Sequence, residues 1–138
     1  MYEFHGWFGL SEDTYESETD VLAALIDRLR SLVSGFTLPP TTVFEVGVVN
    51  GMYHLSVHGT AEREQRSFEA AALRETLSFL CRHLPGSWGL LHERCDEWTD
   101  PPGPSTYRVK IVARGGVSVR HDPFLSPLQP APNGAGHV

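Results

Sequence analysis

The chain has 138 residues, with a hydrophobic share of 41% and a charged share of 20%, which is the profile of one globular domain able to bury a core without staples. Its 17 acidic and 11 basic residues leave a formal net charge of −6, which speaks against a nucleic-acid binder and its basic stripe and suits a basic protein partner. The opening Met-Tyr-Glu-Phe-His has neither a basic nor an apolar leader region, and no apolar run nears the roughly 18 residues of a membrane span, so the expected location is the cytoplasm, away from membranes.

Tyr2 to Leu10 alternates as a strand, with Tyr2, Phe4 and Phe8 on one face and Glu3, His5 and Trp7 on the other. An acidic segment follows, carrying Glu12, Asp13, Glu16, Glu18 and Asp20. Ser17 or Thr19 is placed to cap a helix whose positive end suits these acids. Val21, Leu22, Leu25, Ile26, Leu29, Leu32 and Val33 recur at helical spacing and predict a helix to about Ser34. Gly35 ends it, and Pro39-Pro40 forbids its continuation.

Val43 to Gly59 predicts a hairpin, because Asn50-Gly51 is a preferred type I′ turn pair between two β-rich runs. A two-residue turn sets Val48 against Tyr53, Val46 against Leu55 and Phe44 against Val57, all on one face. Glu45, Gly47, His54, Ser56 and His58 take the other face. Ser67 then caps a second helix with the stripe Phe68, Ala72, Leu73, Leu77, Leu80, Cys81 and Leu84, stopped by Pro85-Gly86.

Gly86 to Glu97 has an apolar first half and a charged second half. Trp88 to Leu91 is expected to hold the sheet together, and Glu93 to Glu97 to reach the surface just before Trp98. Asp100-Pro-Pro-Gly-Pro104 reads as a stiff loop. Tyr107, Val109, Ile111 and Ala113 alternate with Arg108 and Lys110. Arg114-Gly115-Gly116 predicts a three-residue hairpin loop that pairs Ala113 with Val117 and Ile111 with Val119. The order β-α-β-β-α-β-β-β implies an α+β fold, with two helices on one face of a mostly antiparallel sheet. Residues 1–126 form the expected domain, and 127–138, rich in Pro, Gly and Ala, an expected poorly ordered tail.

The residues give no strong catalytic signature. Neither a Gly-x-Ser-x-Gly elbow, a P-loop nor a dinucleotide fingerprint is present. Cys81 and Cys95 read as free thiols. His54 and His58 are four apart on a strand, about 13 Å, too far to share an ion, and no finger-like pair of Cys or His couples exists, so no metal or cofactor is expected. Glu93, Asp96, Glu97 and Asp100 admit three readings: a solvated loop, a carboxylate pair for hydrolysis with Cys95 as a rival nucleophile, or an acidic surface that docks on a basic cleft. Glu12, Asp13 and Glu16 admit the same readings, and Trp98 beside the acids is a candidate interface anchor.

Three segments carry a resemblance. Tyr2-Glu-Phe-His-Gly-Trp7, Gly86-Ser-Trp-Gly-Leu-Leu-His-Glu-Arg-Cys-Asp-Glu97 and Asp122-Pro-Phe-Leu-Ser-Pro127 resemble, in order and place, the immunity protein 7 family of bacterial polymorphic toxin systems. The family pattern has an aromatic where His92 stands and an acid where Cys95 stands, departures that suit a surface matched to one toxin. The resemblance implies a cytoplasmic antidote that binds the toxin domain encoded beside it, a basic nuclease in expectation, and occludes its active site without turnover or cofactor. The expected contacts are Glu93, Asp96, Glu97, Trp98 and Asp100, then Glu12, Asp13 and Glu16. The rival expectations are a small hydrolase using the acids or Cys95, and a protein-binding adaptor unrelated to toxins.

Overall fold

The computed structural model describes residues 1–13, 19–100 and 106–124. The elements run β1 (Tyr2–Gly9), α1 (Thr19–Ser34), β2 (Val43–Val49), β3 (Met52–Ala61), α2 (Phe68–His83), β4 (Trp88–Cys95), β5 (Arg108–Ala113) and β6 (Gly116–His121). The strands make one antiparallel sheet in the order β2-β3-β1-β4-β5-β6. Both helices pack against one face of that sheet, as the element order implied. The expected Ser17 cap, the Glu16 and Glu18 positions, the proline loop and the 127–138 tail lie outside the described residues.

Period-two alternation places the core. Tyr2, Phe4 and Phe8 of β1 turn inward and are 0–1% exposed, as are Leu55 and Val57 of β3. The helices bring Ile26, Leu29, Leu73 and Leu80 onto them. In α2 the Ser67 side chain accepts from the Ala70 N–H, the expected cap. Phe68 departs from the predicted stripe: at the first helical position it stands 79% exposed.

The β2–β3 hairpin has the predicted register, Phe44 against Val57, Val46 against Leu55 and Val48 against Tyr53. Asn50 and Gly51 take φ of 52° and 76°, the left-handed pair that a type I′ turn requires. The β5–β6 hairpin corrects the sequence reading. Its turn is Arg114-Gly115, with φ of 52° and 74°, again a two-residue turn. Ala113 therefore pairs with Gly116, Val112 with Val117 and Ile111 with Ser118. The three-residue loop would have left Gly116 unpaired, whereas the shorter turn matches the strand twist and gains a rung. A one-residue slip reverses the faces of β6.

Candidate functional site

The strand β4 differs most from its sequence reading. Its inward positions are Leu91, Glu93 and Cys95, buried at 0–1% exposure. Its outward positions are Trp88, Leu90, His92 and Arg94, with Trp88 and Leu90 46–47% exposed. The apolar half therefore gives two bulky groups to the outside, and the charged half gives a carboxylate to the core.

Glu93 is removed from the expected docking edge by this placement. Its Oε2 accepts from the Tyr2 hydroxyl at 2.7 Å, and its Oε1 pairs with Lys110 Nζ at 2.9 Å. Lys110 arrives from β5, whose basic positions face the helix side while Ile111 faces away. Burial first, then the neighbouring Glu93 carboxylate, holds the Tyr2 hydroxyl far above its ordinary range, so it stays a donor. Cys95, the expected rival nucleophile, is a free thiol at 1% exposure.

Asp96 and Glu97 emerge at the end of β4 and are exposed. Asp96 pairs with the Met1 amine, because β1 begins where β4 ends. That hydrogen bond lowers the Asp96 carboxyl and raises the amine relative to their ordinary values. Glu97 shares a hollow with Glu62, Arg63 and Arg66 of the connection after β3 and with Glu69 of the first turn of α2. Glu64 accepts from Trp98 Nε1 at 3.2 Å. Trp98 is half-buried, and the Arg108 guanidinium lies 4.0 Å from its ring centroid. Arg108 also reaches Asp100 at 3.7 Å.

One end of the sheet thus gathers Asp96, Glu97 and Asp100 with Glu62, Glu64 and Glu69. The last three were not singled out by the sequence, because only the meeting of β3, β4 and α2 brings them there. Cys95 Sγ and the Asp96 and Glu97 carboxylates lie within 4.8 Å of one another. Adjacent side chains at a strand end come together in this way without an ion, and here Asp96 already holds the Met1 amine. Glu12 and Asp13 lie at the opposite end of the sheet, past the close of β1, where the Asp13 backbone covers Gly86. The length of β1 separates the two acidic groups by roughly 20 Å or more, so the structure does not join them. Glu16 lies outside the described residues.

The sheet face turned away from the helices carries a second feature. The row His58–His5–His92–Val109 crosses β3, β1, β4 and β5, followed by the row Ser56–Trp7–Leu90–Ile111. Trp7 is 45% exposed, and its ring meets Trp88 at 5.4 Å and His54 at 4.4 Å between centroids. Trp88 lies over Gly9, where an added Cβ would stand 2.7 Å from the indole. These groups border an open hollow of about 730 Å³ lined mainly by Trp7, Trp88, Leu90, Ile111 and the histidines His5 and His58. Beneath Trp7, the buried Nδ1 of His54 has no hydrogen-bond partner among the described residues.

No helix among the described residues is long and apolar enough to cross a membrane. A family model described as Immunity protein 7 matches residues 1–133. No curated protein and no solved structure matches the chain.

Proposed function

Because the chain belongs to the immunity protein 7 family, whose members are antidotes to polymorphic toxins, we propose that it neutralises one cognate toxin domain by stoichiometric binding that blocks the toxin's active site. The match over residues 1–133 carries this reading. It acts in the cytoplasm of the producing cell, without turnover, on a toxin encoded by the adjacent gene. The toxin is a nuclease with a basic cleft. The chain's net charge of −6 and the acids gathered at one end of the sheet support that choice, since opposite potentials steer encounter and exclude wrong partners.

The contacts at this end are Asp96, Glu97, Glu62 and Glu69, flanked by Trp98 and Asp100. Glu93 is not among them, being buried against Tyr2 and Lys110. Glu12 and Asp13 form a second, separate acidic site that a large toxin reaches only around the sheet.

Co-expression tests the function: cells carrying the chain survive the adjacent toxin, and killing in its presence ends the antidote reading. Replacing Asp96 and Glu97 with lysine tests the site. The association rate then falls at low salt, and the difference from the unmodified chain closes as salt rises. An unchanged rate at low salt removes both residues from the contact.

A further inference from the structure

Resting on the antidote reading above, the geometry points to the open face of the sheet, around the hollow bordered by Trp7, Trp88 and Leu90, as the surface on which the toxin domain seats an apolar protrusion. On β1 and β4 the helix-covered side buries its large groups, yet on the open side Trp7, Trp88 and Leu90 stay 45–47% exposed. Single exposed apolar residues are ordinary, but a contiguous set bordering a hollow of about 730 Å³ is not. Tryptophan is enriched among the residues that carry binding energy, because its large flat area is ordered at little entropic cost. The pair is also held in place. Trp7 packs edge-on to both Trp88 and His54, and Trp88 rests on the bare backbone of Gly9.

Charge selects the occupant. From the hollow, the face runs through the His58–His5–His92 row to Glu3 and Arg94, paired at 2.9 Å, and on to the end bearing Asp96, Glu97, Glu62 and Glu69. A partner that covers the hollow therefore meets on that side the four carboxylates of Asp96, Glu97, Glu62 and Glu69, with Arg63, Arg66 and the Met1 amine among them. A second copy of the chain is badly matched. Two copies stacked face to face about an axis along the strands set Asp96 and Glu97 over the same residues of the other copy. An axis across the strands sets them over Glu12 and Asp13 instead. Carboxylates face carboxylates in both arrangements, offset in the first by Arg63 and Arg66 of the same end. A domain with an apolar protrusion beside a basic cleft fits both parts at once. The hollow takes the protrusion, holding the complex together, while the acids cover the cleft.

The test uses the full chain and the purified toxin domain encoded beside it. Leu90→Asp and Trp88→Ser are compared with the unmodified chain by equilibrium binding, and each variant's melting curve reports whether it folds. The expected result is a loss of affinity of about thirtyfold or more for each variant, through faster dissociation, in proteins that still melt in one cooperative transition. Should a variant fail to fold, the unmodified chain labelled with 5-fluorotryptophan supplies the answer. On adding unlabelled toxin, the fluorine resonances of Trp7 and Trp88 shift, while that of Trp98 reports separately on the acidic end. Unmodified affinity in folded variants, or static Trp7 and Trp88 resonances in a formed complex, overturns the open face and leaves the antidote reading standing. Failure of the unmodified chain to bind or protect overturns both. A chain that sediments as a dimer, becomes a monomer with Leu90→Asp and keeps its toxin affinity assigns the face to a second copy and likewise overturns the proposal.

Discussion

The two faces of the sheet invert the usual placement of charge and apolar surface. The helix-covered face holds a carboxylate, an ammonium group and a tyrosine hydroxyl among its aromatic rings. The open face leaves two indoles and a leucine in water. The difference lies in whether each group's needs are met inside the chain. Glu93 has a donor on each carboxylate oxygen, so its burial is compensated. The open face is only partly completed by its own side chains: Trp7 and Trp88 cover each other and His54, while their outer surfaces and Leu90 remain wet. A buried charge with its partners in place is a structural device, whereas the aromatics around the hollow stay uncovered among the described residues.

The sharpest way to break that contrast is Glu93→Ala. It strands Lys110 without its counter-charge, removes the acceptor of Tyr2 and opens a gap beside Leu91. Stranding one member of a buried pair costs about 3–5 kcal/mol. Lys110 keeps 27% of its side-chain surface exposed and can turn toward water, so a loss of about 3 kcal/mol in urea unfolding is expected. Glu93→Leu combined with Lys110→Met and Tyr2→Phe should recover most of it, since replacing a buried polar network by apolar groups of similar volume is often neutral. If Glu93→Ala unfolds at the same urea concentration as the unmodified chain, the ion pair is not holding the covered face, and the distinction between the faces fails.

Tyr2→Phe probes the same network more gently. It deletes one hydroxyl from a residue 1% exposed and leaves Glu93 with Lys110 alone. The expected loss is about 1–2 kcal/mol near neutral pH. Its pH dependence has a definite sign. The folded state raises the Tyr2 hydroxyl above its ordinary value of 10.0, so the native protein keeps a proton that the unfolded chain releases. The contribution is complete below pH 10 and declines as pH climbs beyond it. Urea unfolding of both proteins at pH 8 and pH 11 should show the gap narrowing at the higher pH. A gap that widens would contradict a buried hydroxyl donating to Glu93.

Some of this arrangement was legible in the sequence. The Val43–Ala61 hairpin was, because its turn chemistry and its hydrophobic alternation are independent signals that agree on one register. The β5–β6 hairpin was not, because Gly115 and Gly116 both offer a glycine for the turn and Val117 and Val119 are too exposed to enforce either choice. In β4 the alternation was readable, but not which side the helices cover. Trp88 and Leu90 compete with Leu91 for the core. The winner is set by the rung against β1, where Leu91 sits beside Gly6 and Trp88 beside Gly9. Glu93 looked like a surface group because its compensation comes from Tyr2 and Lys110, 91 residues before it and in the following strand. Asp96 and Glu97 were legible as exposed acids. Glu62, Glu64 and Glu69 were not, since sequence cannot show that a charged connection and a helix start converge on the end of β4.

The smallest expected effect on stability is the most telling for the open face. Leu90 is 47% exposed, and on the outer side its neighbours across the rungs are Trp7 and Ile111. Leu90→Ser removes apolar surface that folding only half covers, and serine is less suited to a strand, so the two terms together amount to about 1 kcal/mol or less. The covered neighbour Leu91, 0% exposed, provides the control in the same strand: Leu91→Ala should cost about 2–5 kcal/mol through the cavity it leaves. Adjacent leucines with such different costs would place the fold's energy on one face and leave the other face free to vary without loss of stability. Equal costs at the two positions, measured by thermal and urea unfolding, would mean that Leu90 is needed for folding, and its exposure could no longer be credited to a partner.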